Sequence, residues 1–146
     1  MKTIYYNSKL AKLLLFSGYS TIMLFGFILT KRPWLTLDSE THEQIHQRQF
    51  LECMTLSLPV TLYPCLFVSW WFLPIVPASY YILYLLEWLV SFVYHLVADW
   101  KKGIPEINHR AYKSISFERE AKMNQGCKCY LNERKPFAWV GYYGRI

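Results

Sequence analysis

The chain has 146 residues and a formal net charge of +6, with 53% hydrophobic and 18% aromatic residues. That length fits one domain, and 6 Trp, 12 Tyr and 9 Phe carry too much apolar surface for a disordered chain. The apolar residues are gathered into long runs, which argues against a plain soluble globule.

Leu13 to Thr30 is uncharged for 18 residues, close to the ~20 that a helix needs to cross a bilayer. Lys2, Lys9 and Lys12 precede it as in a secretory signal, but Lys31-Arg32-Pro33-Trp34 follows with no small-residue cleavage site. Residues 1–30 are therefore expected to form an uncleaved N-terminal anchor helix. Ser17, Gly18, Ser20 and Gly26 give it a small-residue face suited to packing on a neighbour.

A second helix is expected over 38–58, capped by Asp38 or Ser39, with Glu40 in its first turn. From Cys53 to Ala98 the only formal charge in 46 residues is Glu87. Pro74, Pro77 and Ser79 offer a turn near the middle. The expectation is a transmembrane hairpin over 55–98, with arms at 55–75 and 79–98, because so small a soluble domain cannot bury so much apolar chain. Trp70, Trp71, Trp88 and Trp100, with Tyr80, Tyr81 and Tyr94, fall near the proposed span ends, where aromatic belts sit.

The tail 101–146 carries ten Lys or Arg (101, 102, 110, 113, 119, 122, 128, 134, 135, 145) against four acids. By the positive-inside rule it is cytoplasmic, and a hairpin then leaves residues 31–52 cytoplasmic too. The three N-terminal lysines oppose this, unless the tail outweighs them or the first segment stops short of spanning. The expected fold class is an all-α membrane protein with a short helical C-terminal region. The basic tail needs no nucleic acid to explain it, since a membrane surface with anionic lipid suffices. Cys53, Cys65, Cys127 and Cys129 read as free thiols, and a lone Cys-Lys-Cys lacks the second pair of a structural zinc site.

Chemistry enters at Thr41-His42-Glu43-Gln44-Ile45-His46. In this H-E-x-x-H pattern the two histidines are four apart, so on a helix their imidazoles share a face and can share a metal. Glu43 stands beside them, placed to take a proton from a metal-activated water. The helix would run straight into the first hairpin arm, setting both histidines at the cytoplasmic membrane surface. A catalytic zinc site needs a third protein ligand and one open position. The extended metzincin pattern would put a His six residues after the second His and a Gly midway, but Glu52 and Gln49 occupy those positions. On an unbroken helix Glu52 lies about 15 Å along the axis from His42, too far to share its metal. The best remaining supply is Ser116-Phe117-Glu118-Arg119-Glu120-Ala121, on the same side of the membrane, with Glu118 and Glu120 as candidates.

The chain resembles a family of small bacterial membrane proteins that carry HExIHxxQxxE, then Y-x-x-E-[YW] in an apolar stretch, then A-Y-x-x-I-S-F-E-x-E-A and a Y-L, R, F-x-W tail. Here these stand as His42 to Gln49 with Glu52; Tyr84, Glu87 and Trp88; Ala111 to Ala121; and Tyr130-Leu131, Arg134, Phe137 and Trp139, over roughly residues 38–142. The resemblance implies a membrane zinc metallopeptidase of gluzincin type in the bacterial inner membrane. Gluzincins take their third ligand from a Glu on a separate helix, often in E-x-x-A, which matches Glu118 to Ala121 and makes Glu118 first choice and Glu120 runner-up. Two departures stand out. Residues 59–79 look like an insertion between motifs, and Lys122-Met123-Asn124-Gln125 replaces a family Tyr and Asn-Glu.

Four further residues are candidates for supporting the site. Glu87 is a costly carboxylate inside an apolar helix, bound either to a bundle hydrogen bond or to the site. His95 and Asp99, four apart, read mainly as an interfacial pair and otherwise as a second metal pair or a ligand-orienting carboxylate. Tyr112 could stabilise an oxyanion. The function expected is hydrolysis of a peptide or membrane-protein substrate at the cytoplasmic bilayer surface, with Zn²⁺ on His42, His46 and Glu118 and with Glu43 as base. The alternative is a non-catalytic zinc-binding membrane protein acting as a sensor or structural partner. Oligomeric state is not legible in the sequence.

Overall fold

The computed structural model describes residues 4–15 and 19–144. Most of them are helical, but the N-terminal part is a small sheet where an anchor helix was expected, so the fold is not purely all-α. Strand β1 (Ile4–Tyr5) lies parallel to β3 (Phe27–Thr30), and β2 (Thr21–Leu24) pairs antiparallel with β3, Thr21 opposite Thr30 and Leu24 opposite Phe27. The short helix α1 (Lys9–Leu14) lies between β1 and β2 in the chain. The physical reason is the Phe25-Gly26 turn, where both residues have positive φ, 47° and 80°. That is the mark of a two-residue type I′ hairpin, and glycine adopts it without strain. Thr21, Ile22, Ile28 and Thr30 are β-branched and suit strands. Met23 and Ile28 bury into a core with Phe50, Cys53 and Tyr80, so this apolar run is a hairpin roofing the core and not a span. Of the expected small-residue face, Ser17 and Gly18 lie outside the described residues.

Helix α2 (Leu37–Phe67) is capped by Thr36, whose Oγ1 accepts from Ser39 N at 3.3 Å, in place of the expected Asp38 or Ser39. Asp38 and Glu40 occupy the first turn, where the dipole favours acids. The helix continues through Pro59 and Pro64, so the H-E-x-x-H helix and the first apolar arm are one element. The chain reverses at 68–74 through a 3-10 turn at Trp70–Phe72, earlier than expected. Helix α3 (Ile75–Ala98) takes Pro77 in its first turn, where a missing N–H is tolerated.

Both α2 and α3 are long and apolar enough to cross a membrane, and little of that apolar length is covered. In the most apolar 18-residue stretches, 22% of α2 and 6% of α3 is buried. Leu86, Leu89, Val90 and Val93 are exposed, and Trp71 is 87% exposed. Helices α4 (Ile104–Ser114) and α5 (Ser116–Asn124) fold back on α3 and α2. Helix α6 (Tyr130–Glu133) and a 3-10 turn at Ala138–Tyr142 close the fold behind α5, with Trp139 stacked on Phe117 at 4.5 Å.

Cys53 and Cys65 are free and buried, as expected, but Cys127 and Cys129 form a disulfide. The turn after α5 brings their Cα atoms to 5.3 Å, within disulfide reach, which spacing alone did not reveal. The left-handed turn gives a test of the hairpin. Gly26→Ala is expected to lower stability by about 1–2 kcal/mol, read as a lower melting temperature in detergent, and an unchanged melting temperature contradicts the turn.

Candidate metal centre

His42 and His46 project from one face of α2, and α5 lies across that face. Glu118 in the first turn of α5 thereby meets both imidazoles. Its Oε2 lies 3.4 Å from His42 Nε2 and its Oε1 3.3 Å from His46 Nε2, while the two Nε2 atoms are 3.0 Å apart. Zinc bonds of about 2.0–2.2 Å in a tetrahedron put ligand atoms about 3.3–3.6 Å apart; both separations from Glu118 match, and the two Nε2 atoms would have to part by a few tenths of an ångström to share a small cation. One ligand atom from each residue lies within 4.8 Å of the others, and this is the one such group among the described residues.

The hydrogen bonds around the group strengthen that fit. His46 Nδ1 lies 2.7 Å from Gln49 Oε1 and His42 Nδ1 3.2 Å from Gln125 Oε1. Each Nδ1 therefore donates to an amide oxygen, which leaves both Nε2 atoms facing Glu118. Two ring nitrogens and a carboxylate converge on one point, an arrangement that calls for positive charge between them, either protons on the imidazoles or a metal cation. Burial pushes the Glu118 carboxyl up, but the charges and hydrogen bonds of His46 and His42 outweigh it and hold it well below the usual carboxylate range. Tyr84 Oη donates to Glu118 Oε1 at 2.8 Å. Burial, and then the charge of Glu118, push the Tyr112 hydroxyl well above its ordinary value, so it stays a donor facing that carboxylate.

Glu87, whose place inside an apolar helix looked costly, caps α5 from α3. Ser116 N donates to Oε1 at 3.0 Å and Ser116 Oγ to Oε2 at 2.8 Å. Ile115, at the start of α5, supplies no side-chain cap, so the carboxylate of a neighbouring helix takes that role and fixes the turn that carries Glu118. Glu120, two residues on, faces away from the metal group and accepts from Arg134, Tyr130 and Gln49. His95 and Asp99 do not join the centre. His95 lies 3.4 Å from Asp99, which also binds Lys102 at 2.9 Å and Arg110 at 3.2 Å, so the two belong to a charged cluster at the end of α3.

The three ligand candidates open into a cleft of about 440 Å³ that Glu43 and Tyr112 also line. Glu43 stands beside both histidines on the cleft wall and makes no hydrogen bond to any described residue. Tyr80, Tyr81 and Tyr84 of α3 line it, together with Thr21, Ile22 and Met23 of β2, an edge strand of the sheet. Sequence reading missed Tyr80, Tyr84, Gln49 and Gln125 as partners of the ligand set. Tyr84 and Glu87 are three apart on one helix face, and that spacing was the local signal for Tyr84. No protein-family model, curated protein or solved structure matches the chain, so the reading of the centre rests on its own side chains.

The geometry separates the two glutamates experimentally. In detergent-purified protein, His46→Ala and Glu118→Ala are expected to abolish uptake of zinc, while Glu120→Ala weakens it without abolishing it, read as metal content after dialysis. Retention by Glu118→Ala alongside loss in Glu120→Ala contradicts the assignment.

Proposed function

We propose that the protein is a zinc-dependent membrane metallopeptidase of gluzincin type. The observation that carries the proposal is a His42, His46, Glu118 group facing a cleft that Glu43 also lines. Zinc suits two imidazoles and one carboxylate, a donor set used in hydrolytic sites that keep one position open. When bound, it would supply a Lewis acid that polarises the scissile carbonyl and makes a water acidic enough to deprotonate near neutral pH.

The chain's own residues do the rest. Glu43 takes the proton of the attacking water and hands it to the leaving amine. Tyr112, kept protonated, donates toward the oxygen on which negative charge develops. Glu118 stays ionised between the imidazoles and holds its helix in place through Tyr84.

A peptide substrate is supported by the cleft's walls. An edge strand has unpaired backbone donors and acceptors on its outer side, which an extended peptide can meet. The α3 tyrosines offer flat apolar surface for its side chains. The α3 wall continues from Leu85 onto the exposed Leu86, Leu89 and Val90, which favours substrates presented from a bilayer. With α2 and α3 as the membrane elements and the basic tail on the cytoplasmic side, the scissile bond is cut near the inner surface of a bacterial cytoplasmic membrane. Glu43→Gln separates this from a sensor or structural zinc protein. Hydrolysis of a peptide library in proteoliposomes is expected to fall at least ~100-fold, the scale of a lost general base, with bound zinc unchanged; retained hydrolysis contradicts the proposal.

A further inference from the structure

We infer that Glu120 is a positioning residue that sets the tautomer of His46 through Gln49, with Arg134 holding it in place; this rests on the reading of His46 as a metal ligand.

The argument turns on what each group can donate. Gln49 is fully buried, and its Nε2 donates at 3.0 Å both to Glu120 Oε2 and to the Phe117 carbonyl. Both of those atoms are acceptors only, which fixes the amide: its nitrogen faces α5 and its oxygen faces His46. Gln49 Oε1 then stands 2.7 Å from His46 Nδ1, so that nitrogen must carry the proton. Tyr80 Oη, 3.2 Å from the same Nδ1, accepts a share of it. Nε2 of His46 is left as the nitrogen that faces Glu118 and His42, the one available to a metal. The carboxylate of Glu120 thereby reaches the ligand through one amide, two residues along the helix from Glu118.

Glu120 is in turn over-determined. It is fully buried and accepts from Arg134 Nε at 2.5 Å, Arg134 Nη2 at 3.1 Å and Tyr130 Oη at 2.9 Å. Arg134 also pairs with Glu52, through Nη1 and through Nη2 at 3.0 Å, so one guanidinium ties α2 to α5. Buried ion pairs of this kind contribute little net stability compared with apolar packing of the same volume. Orientation of a ligand histidine gives the cluster a purpose that stability does not.

The spacing serves both ends. Glu118 and Glu120 are about 200° apart around α5, so one carboxylate takes the metal side while its neighbour takes the far side of Gln49. Gln49 lies three residues after His46, one helical turn along the same face.

The test reads the tautomer directly. In the metal-free, full-length protein in detergent, at a pH high enough to leave His46 neutral beside Glu118, ¹⁵N NMR of labelled histidine is expected to show His46 with Nδ1 protonated and Nε2 bare. Gln49→Met and Glu120→Gln are expected to mix the tautomers and weaken zinc binding about 10- to 100-fold, the usual cost of a lost orienting partner. In the double variant Gln49→Glu/Glu120→Gln the carboxylate accepts from His46 directly and from the new amide behind it. That exchange is expected to restore the Nδ1-protonated form and most of the zinc affinity, which a merely structural defect would not allow. A wild-type His46 protonated on Nε2, or single variants with the wild-type tautomer and affinity, overturns the inference. A tautomer that follows the variants in a protein that takes up no zinc supports the relay and overturns the metal reading alone.

Discussion

One constraint organises the structure: a carboxylate in the first turn of α5 is buried against two imidazoles on α2, with both Nε2 atoms and the carboxylate facing one point. An arrangement of that kind is costly unless every remaining polar group around it is satisfied. The surroundings meet that demand from four directions. Gln49 and Gln125 take the outer nitrogens of the histidines, Tyr84 donates to Glu118, and Glu87 fixes the turn on which Glu118 stands. Arg134 then locks the far side of α5 to α2 through Glu120 and Glu52. The small sheet and the C-terminal turn complete the enclosure, the first as one wall of the cleft and the second as a stack of Trp139 on Phe117.

What was legible in the sequence was what is local. Histidines four apart with an adjacent glutamate describe a helix face that could hold a metal. The length from Cys53 to Ala98, charged only at Glu87, likewise announced two apolar helices, because bilayer thickness and helix rise fix the number of residues needed. Glu118 could be preferred to Glu120 only by resemblance, and the structure gives the physical distinction: the two residues sit on opposite sides of α5, one against imidazoles and one against a guanidinium.

The rest was hidden for identifiable reasons. The apolar run from Leu13 to Thr30 has the composition of a span, and only the Phe25-Gly26 turn and its β-branched flanks distinguish a hairpin from a helix. Long-range partners leave no local trace: Gln49 meets Glu120 across 71 residues, Arg134 meets Glu52 across 82 and His42 meets Gln125 across 83. The Cys127 and Cys129 pair depends on a turn whose shape the spacing does not specify. Glu87 was correctly marked as costly in an apolar helix, but its use as a cap for another helix became visible only once α3 and α5 were side by side.

The proposal that His42, His46 and Glu118 hold zinc is tested most directly by X-ray absorption at the zinc edge on purified protein loaded with one equivalent of metal. The structure predicts a shell of nitrogen and oxygen atoms at about 2.0–2.2 Å, with outer scattering from two imidazoles and no sulfur. A sulfur contribution at about 2.3 Å, or the absence of imidazole scattering, would place the metal elsewhere and leave protons as the positive charge between His42, His46 and Glu118.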